Sequence, residues 1–259
     1  MHELPLVFFT LFGQAAAGMM LIMMISRVLG LSSAEQAKRS NLAAMVLMAV
    51  GMAVGGMHMG QPLRAINMLT GLGRSPMSNE IVLSGVFFGF GALTVLLEIM
   101  NKGTESIRRF VNIAAVITGM LFVWSIPQVY QLTTVSTWAA GYTTAQMVLT
   151  AVVAGGALVA AFGCVRAGVL ALMAGAIVSV AITPGYLTML GTITPELAAE
   201  QSTLWTLQSL AIVVGVVMAG TQLSRLKPCN YALTFIATLV MAGELAGRIA
   251  FYNLHLLPM

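Results

Sequence analysis

Between Gly56 and Glu80 the sequence reads GMHMGQPLRAINMLTGLGRSPMSNE, and it gathers in one stretch the side chains best suited to moving protons. A histidine, His58, stands where an apolar run ends. Arg64 and Arg74 follow in a connecting loop, and a carboxylate, Glu80, stands where the next apolar run begins. Imidazole takes and gives protons near neutral pH, and a carboxylate beside lipid can serve as a general base. Ionisable groups inside a membrane mark substrate, ion or proton pathways. His58 and Glu80 are therefore the expected catalytic pair of a site that handles protons beside a lipid-soluble substrate. Each residue also has a plainer reading. His58 would serve as an interfacial helix-end histidine, and Glu80 as a first-turn carboxylate favoured by the helix dipole, with Ser78 or Asn79 as cap. Arg64 and Arg74 would meet lipid phosphates, hold Glu80 ionised, hydrogen-bond a quinone carbonyl, or dock an acidic partner.

A second polar group lies near the end of the chain, in AGELAGRIAFYNLH, where Glu244 and Arg248 are spaced i to i+4 and share a helix face. They are expected to clasp each other and to support the site from behind, together with Asn67, Arg74 and Ser78. Gln14, alone among apolar neighbours, is expected only to pack, so that Gln14→Ala costs little rate. His2 and His255 lie too near the chain ends to ligate a haem inside a bundle, so no haem is expected. Two cysteines are too few for an iron–sulfur cluster, and the twenty methionines read as adaptable core filler. No metal site is expected, and no phosphate loop or nucleophile elbow appears.

The elements that position these residues must be membrane helices. With 59% hydrophobic and 8% charged residues, mean hydropathy of +0.94 and no aspartate among eight acidic residues, the 259-residue chain is far from soluble composition. A span takes about 20 apolar residues, and eight fit, at about 4–29, 42–59, 80–100, 110–131, 143–164, 167–190, 202–223 and 231–254. The expected fold is an all-α polytopic membrane protein forming a single integral membrane domain over residues 1–259. The first run has no basic segment before it and is expected to stay as a span. Nine basic residues fall on one side (Arg27, Lys38, Arg39, Lys102, Arg108, Arg109, Arg166, Arg225 and Lys227), against Arg64 and Arg74 on the other. By the positive-inside rule the nine are cytoplasmic and both termini periplasmic. That charge bias also explains the net charge of +4 without nucleic acid.

The blocks HELPLVFFTLFGQ, MHMGQPLRAIN, SNEI, FVW and AGELAGRIAFYNLH resemble the membrane anchor subunit of the bacterial dimethyl sulfoxide reductase family. The likeness spans almost the whole chain in order and is weakest from about Thr133 to Ser224. It implies eight helices with periplasmic termini in the bacterial inner membrane and a haem-free subunit that oxidises menaquinol near the periplasmic face. It further implies quinol-contacting residues at His58, Gly60, Arg64 and Glu80. Electrons would pass to an iron–sulfur subunit and on to a molybdopterin catalytic subunit that reduces dimethyl sulfoxide or a related S- or N-oxide. Iron–sulfur clusters and molybdopterin would belong to those partners alone, and terminal reduction would not occur in this chain. A polysulfide- or nitrite-reductase-type anchor would keep the quinone site and change the partner. A proton-coupled transporter would show repeats and paired broken helices at the midplane; the polar residues here crowd one surface instead.

Overall fold

The structure is a computed structural model, and it describes residues 4–57, 62–131 and 134–254, with the side chains of 62–66 outside the description. Among the described residues eight α-helices follow in chain order: α1 Leu4–Val28, α2 Ala34–Gly56, α3 Pro76–Ile99, α4 Glu105–Tyr130, α5 Gly141–Ala161, α6 Val165–Ile193, α7 Pro195–Leu223 and α8 Asn230–Asn253. Each is long and apolar enough to cross a bilayer. A 3-10 helix, Pro62–Gly71, lies between α2 and α3. No strand occurs among the described residues.

Most helices begin before the apolar span does, because a helix continues wherever its backbone bonds can form; α2, α3 and α4 are also fixed at their starts by a side-chain cap. In α2, Ser33 accepts from Gln36 N at 3.2 Å while Gln36 Oε1 accepts from Ser33 N at 2.8 Å, a reciprocal capping box. The helix therefore starts eight residues before the expected apolar edge at 42. Pro127 lies inside α4, and the helix continues past it to Tyr130.

Consecutive helices pack as antiparallel hairpins, α1 on α2, α3 on α4, α5 on α6 and α7 on α8. Across the hairpins, α1 touches α4, α5, α6 and α8, which makes it the central helix. Accordingly 72% of its apolar window is buried within the protein, against 22% for α7, whose remaining surface suits lipid. The crossing of α1 and α5 is unusually close. A Cβ added to Gly18 would sit 1.8 Å from the Ala151 carbonyl oxygen, and one added to Gly155 would sit 2.7 Å from the Gly18 carbonyl carbon. Small residues allow backbones to meet in this way where lipid supplies no hydrophobic drive.

Antiparallel packing sorts the loops into two ends. One end carries the start of α1, the loop before α3, the start of α5 and the end of α8. The other carries the basic turns after α1, α3, α5 and α7. At the basic end Cys164 Sγ lies 3.0 Å from Ser26 Oγ, tying the α5–α6 turn to α1; Cys164 and Cys229 are both free thiols.

Candidate functional site

The start of α3 is set by Ser75, whose hydroxyl accepts from Ser78 N at 3.4 Å, followed by Pro76 at the first helical position. Ser75, rather than Ser78 or Asn79, is thus the cap. The two expected caps have other work. Ser78 is buried beneath the 3-10 helix, where a Cβ on Gly71 would come within 2.5 Å of its Oγ. Asn79 Oδ1 accepts from Gly73 N at 2.7 Å and closes the turn in which Gly73 takes a φ of 78°. The loop is thereby fastened to the helix that carries Glu80.

Glu80 lies one turn inside α3 and is only 6% exposed. Its Oε1 is buried and has no hydrogen-bond partner among the described residues. Buried polar atoms are nearly always paired, so an unpaired carboxylate oxygen calls for a partner beyond the described residues. The electrostatic neighbours of Glu80 are the Arg248 guanidinium and the hydroxyls of Tyr130 and Tyr252. Those two hydroxyls hydrogen-bond each other between α4 and α8.

Arg248 is the hub of the buried polar group. It donates through Nη2 to Gln14 Oε1 on α1 and, at 3.1 Å, to Thr150 Oγ1 on α5. Thr150 Oγ1 in turn donates to Glu244 Oε2 at 2.7 Å. Glu244 and Arg248 therefore share a helix face without a direct ion pair: among the described residues only Arg39 and Glu35 form one, at 3.0 Å. The expected clasp is instead bridged by a hydroxyl that accepts from the cation and donates to the anion. Gln14, expected only to pack, is fully buried and holds Arg248, so Gln14→Ala is not a neutral substitution.

Beside this group a cavity of about 20 Å³ is lined by Thr143, Gln146, Thr150, Gln208, Glu244 and Arg248. It has room for about one water and none for a quinone ring. An aromatic wall closes the same end of the bundle. Tyr130 meets Trp138, Phe251 and Tyr252 edge-on with ring centroids 5.4–5.5 Å apart, and Trp138 Nε1 donates to the Phe251 carbonyl at 3.0 Å.

The structure thus brings Glu80 and Arg248 together and puts Glu244 one hydroxyl further on. It leaves two expected residues apart: Arg74 is exposed and donates to the Thr70 carbonyl at 2.8 Å, and Asn67 is exposed on the 3-10 helix. His58, Gly60 and the Arg64 side chain, three of the four expected quinol contacts, lie outside the described residues. Among the described residues no group of three or more His, Cys, Asp or Glu side chains could hold a metal ion. Tyr130, Tyr252 and Thr150 were not anticipated. For Tyr252 a signal existed, since Glu244, Arg248 and Tyr252 recur every four residues and line one face of α8.

The family described as DMSO reductase anchor subunit (DmsC) matches residues 1–254. The anaerobic dimethyl sulfoxide reductase chain YnfH of Escherichia coli (strain K12) is 31% identical over 274 residues, covering 98% of this chain and 95% of that protein. The C chain of the anaerobic dimethyl sulfoxide reductase of the same organism is 31% identical over 280 residues, covering 98% and 96%. Its namesake in Haemophilus influenzae is 32% identical over 157 residues, covering 60% and 56%. The match runs through the region of weakest likeness as well as the polar blocks, and with its eight apolar helices the chain belongs to the DMSO reductase anchor subunit (DmsC) family as a multi-pass protein of the inner membrane.

Proposed function

We propose that this chain oxidises menaquinol at the bundle end that carries Glu80, that this end faces the periplasm, and that the electrons pass to an iron–sulfur subunit docked over the loop before α3. A molybdopterin subunit then reduces dimethyl sulfoxide or a related S- or N-oxide. The observation that carries the reading is the Glu80 carboxylate, buried one turn into α3 with Oε1 unpaired among the described residues. A quinol hydroxyl is a donor of the right kind for that oxygen.

Oxidising the quinol releases two electrons and two protons. Glu80 accepts a proton from one hydroxyl, His58 serves the other, and Arg64 and Gly60 border the ring. Arg248, held by Gln14 and Thr150, supplies a fixed positive charge near Glu80. The Tyr130–Tyr252 hydroxyl pair offers a further acceptor and donor within the same polar group. The basic end faces the cytoplasm by the positive-inside rule, which puts the quinol end outside and lets the protons leave there.

Glu80→Gln and His58→Ala test the reading in the assembled complex. Loss of one general base is worth about 10²- to 10⁴-fold in rate. Both variants are expected to lose quinol-dependent reduction by that order while retaining reduction from an artificial donor that bypasses the membrane subunit. Glu35→Gln, on an exposed ion pair at the other end, is the control. Normal assembly with quinol oxidation at the native rate in both variants would return His58 and Glu80 to their interfacial roles.

A further inference from the structure

At the basic end of the bundle, where α1 and α3 finish and α2 and α4 begin, the helices leave a cavity of about 1010 Å³. Arg27, Lys38, Arg108 and Arg109 line it, with the carboxylates Glu35, Glu98 and Glu105 and the apolar side chains of Met24, Val28 and Ile113. The carboxylates cancel the cations only in part, Glu98 being the shared electrostatic neighbour of Arg27, Lys38 and Arg108. Glu35 is paired at 3.0 Å with Arg39, which lies outside the lining. Both oxygens of Glu98 accept from Asn41 Nδ2, at 3.1 and 3.3 Å. None of the four cations forms an ion pair among the described residues, and Arg108 spends one N–H on the Lys102 carbonyl, at 2.9 Å. Four cations therefore face two carboxylates that have no cationic partner elsewhere.

Basic residues at a helix end often only reach up to the bulk headgroup layer. Here four of them, drawn from three helices, converge on one cavity at the upper edge of the usual volume for a ligand site, about 300–1,000 Å³. The cavity also opens beside a lipid-facing column. Ile113, Ile117 and Leu121 recur every four residues on α4, are 39%, 55% and 49% exposed, and run from the cavity toward the middle of the membrane. A ligand with an anionic head and an apolar tail fits both features at once.

We propose that this cavity binds the phosphodiester headgroup of an anionic phospholipid, with an acyl chain laid along α4. The lipid would bridge the α1–α2 and α3–α4 hairpins at the end opposite the quinol site, and the inference stands independently of the quinol reading.

The test uses the purified complex in mild detergent, stripped of lipid and titrated with phosphatidylglycerol, phosphatidylethanolamine or inorganic phosphate, with bound molecules counted by native mass spectrometry. Phosphatidylglycerol is expected to be retained over phosphatidylethanolamine, and inorganic phosphate is expected not to displace it. At the usual worth of a cation near an anionic lipid, Arg27→Gln, Lys38→Gln and Arg109→Gln together weaken that binding about 100-fold. The equally basic Arg166→Gln, Arg225→Gln and Lys227→Gln set, at the same end but outside the cavity, changes it less than about threefold. Should the first set fail to assemble, Arg109→Gln alone, at an exposed position, is expected to weaken binding about fivefold. Equal retention of the two lipids, equal losses in the two sets, or displacement by inorganic phosphate would each overturn the proposal.

Discussion

Thr150→Val keeps the shape of a β-branched side chain and removes the hydroxyl that joins Arg248 to Glu244. In the native chain that hydroxyl accepts from Arg248 at 3.1 Å and donates to Glu244 at 2.7 Å, and it is 3% exposed. Neutral interhelical hydrogen bonds inside membranes average only about 0.6 kcal/mol, because a helix inserted alone also finds partners for its polar groups. Two bonds at that value give about 1 kcal/mol. Bonds to charged groups are worth more, about 1.5–3 kcal/mol each, and valine leaves a buried carboxylate and a buried guanidinium each one partner short. The expected loss is therefore about 3 kcal/mol, which for a chain of this size lowers the midpoint by roughly 6–12 °C. Thermal unfolding of the detergent-solubilised complex measures it. Thr183→Val is the matched control, since among the described residues Thr183 Oγ1 bonds only the Ser179 carbonyl of its own helix, at 2.7 Å, and its loss should stay within about 0.5 kcal/mol. Thr150→Ser restores the hydroxyl and should recover most of the difference. If Thr150→Val melts with Thr183→Val, the bridge contributes nothing and Glu244 and Arg248 are satisfied in some other way.

Gly18→Val puts a side chain where its Cβ would lie 1.8 Å from the Ala151 carbonyl oxygen, so α1 and α5 must separate; a loss of at least about 3 kcal/mol, read as thermal midpoint or yield, is expected. Tyr252→Phe breaks the hydroxyl pair beside Glu80 and should slow quinol-dependent turnover about tenfold, equivalent to about 1.4 kcal/mol of barrier, with artificial-donor turnover unchanged. A reporter fused after Met259 is expected to read as periplasmic because nine basic residues lie at the other end; a cytoplasmic reading would move the proposed quinol site to the inner face.

Much of this architecture was legible because a bilayer imposes a length on every span, so eight apolar runs read directly as eight helices. Helix ends were less legible: hydropathy reports where the apolar solvent stops, whereas α2 begins at Ala34 on the strength of a local capping box. Glu80 could be placed near a helix start because SPMSNE carries cap residues, although proline at the first helical position made Ser75 the cap. The partners of Arg248 were not legible. Glu244 is its neighbour by spacing, yet its hydrogen bonds go to residues 234 and 98 positions away, and only the packing order around α1 decides that. A lone glutamine in an apolar span was the available sign, and polar residues inside a membrane rarely lack a partner.

The glycine contact and the polar group are parts of one arrangement. Gln14 and Gly18 are four residues apart and lie on one face of α1; Thr150 precedes, by one residue, the Ala151 carbonyl that Gly18 touches. A larger residue at Gly18 would move α5 outward and carry Thr150 with it, while Gln14 stayed with α1. Arg248 bonds both and could no longer span them, because its reach is fixed by one guanidinium on a third helix. The near-contact of two backbones is thus what allows three helices to share a single charge, and that charge is the one that faces Glu80. Backbone proximity, set by residues with almost no side chain, fixes the electrostatics of a carboxylate on α3 that neither glycine touches.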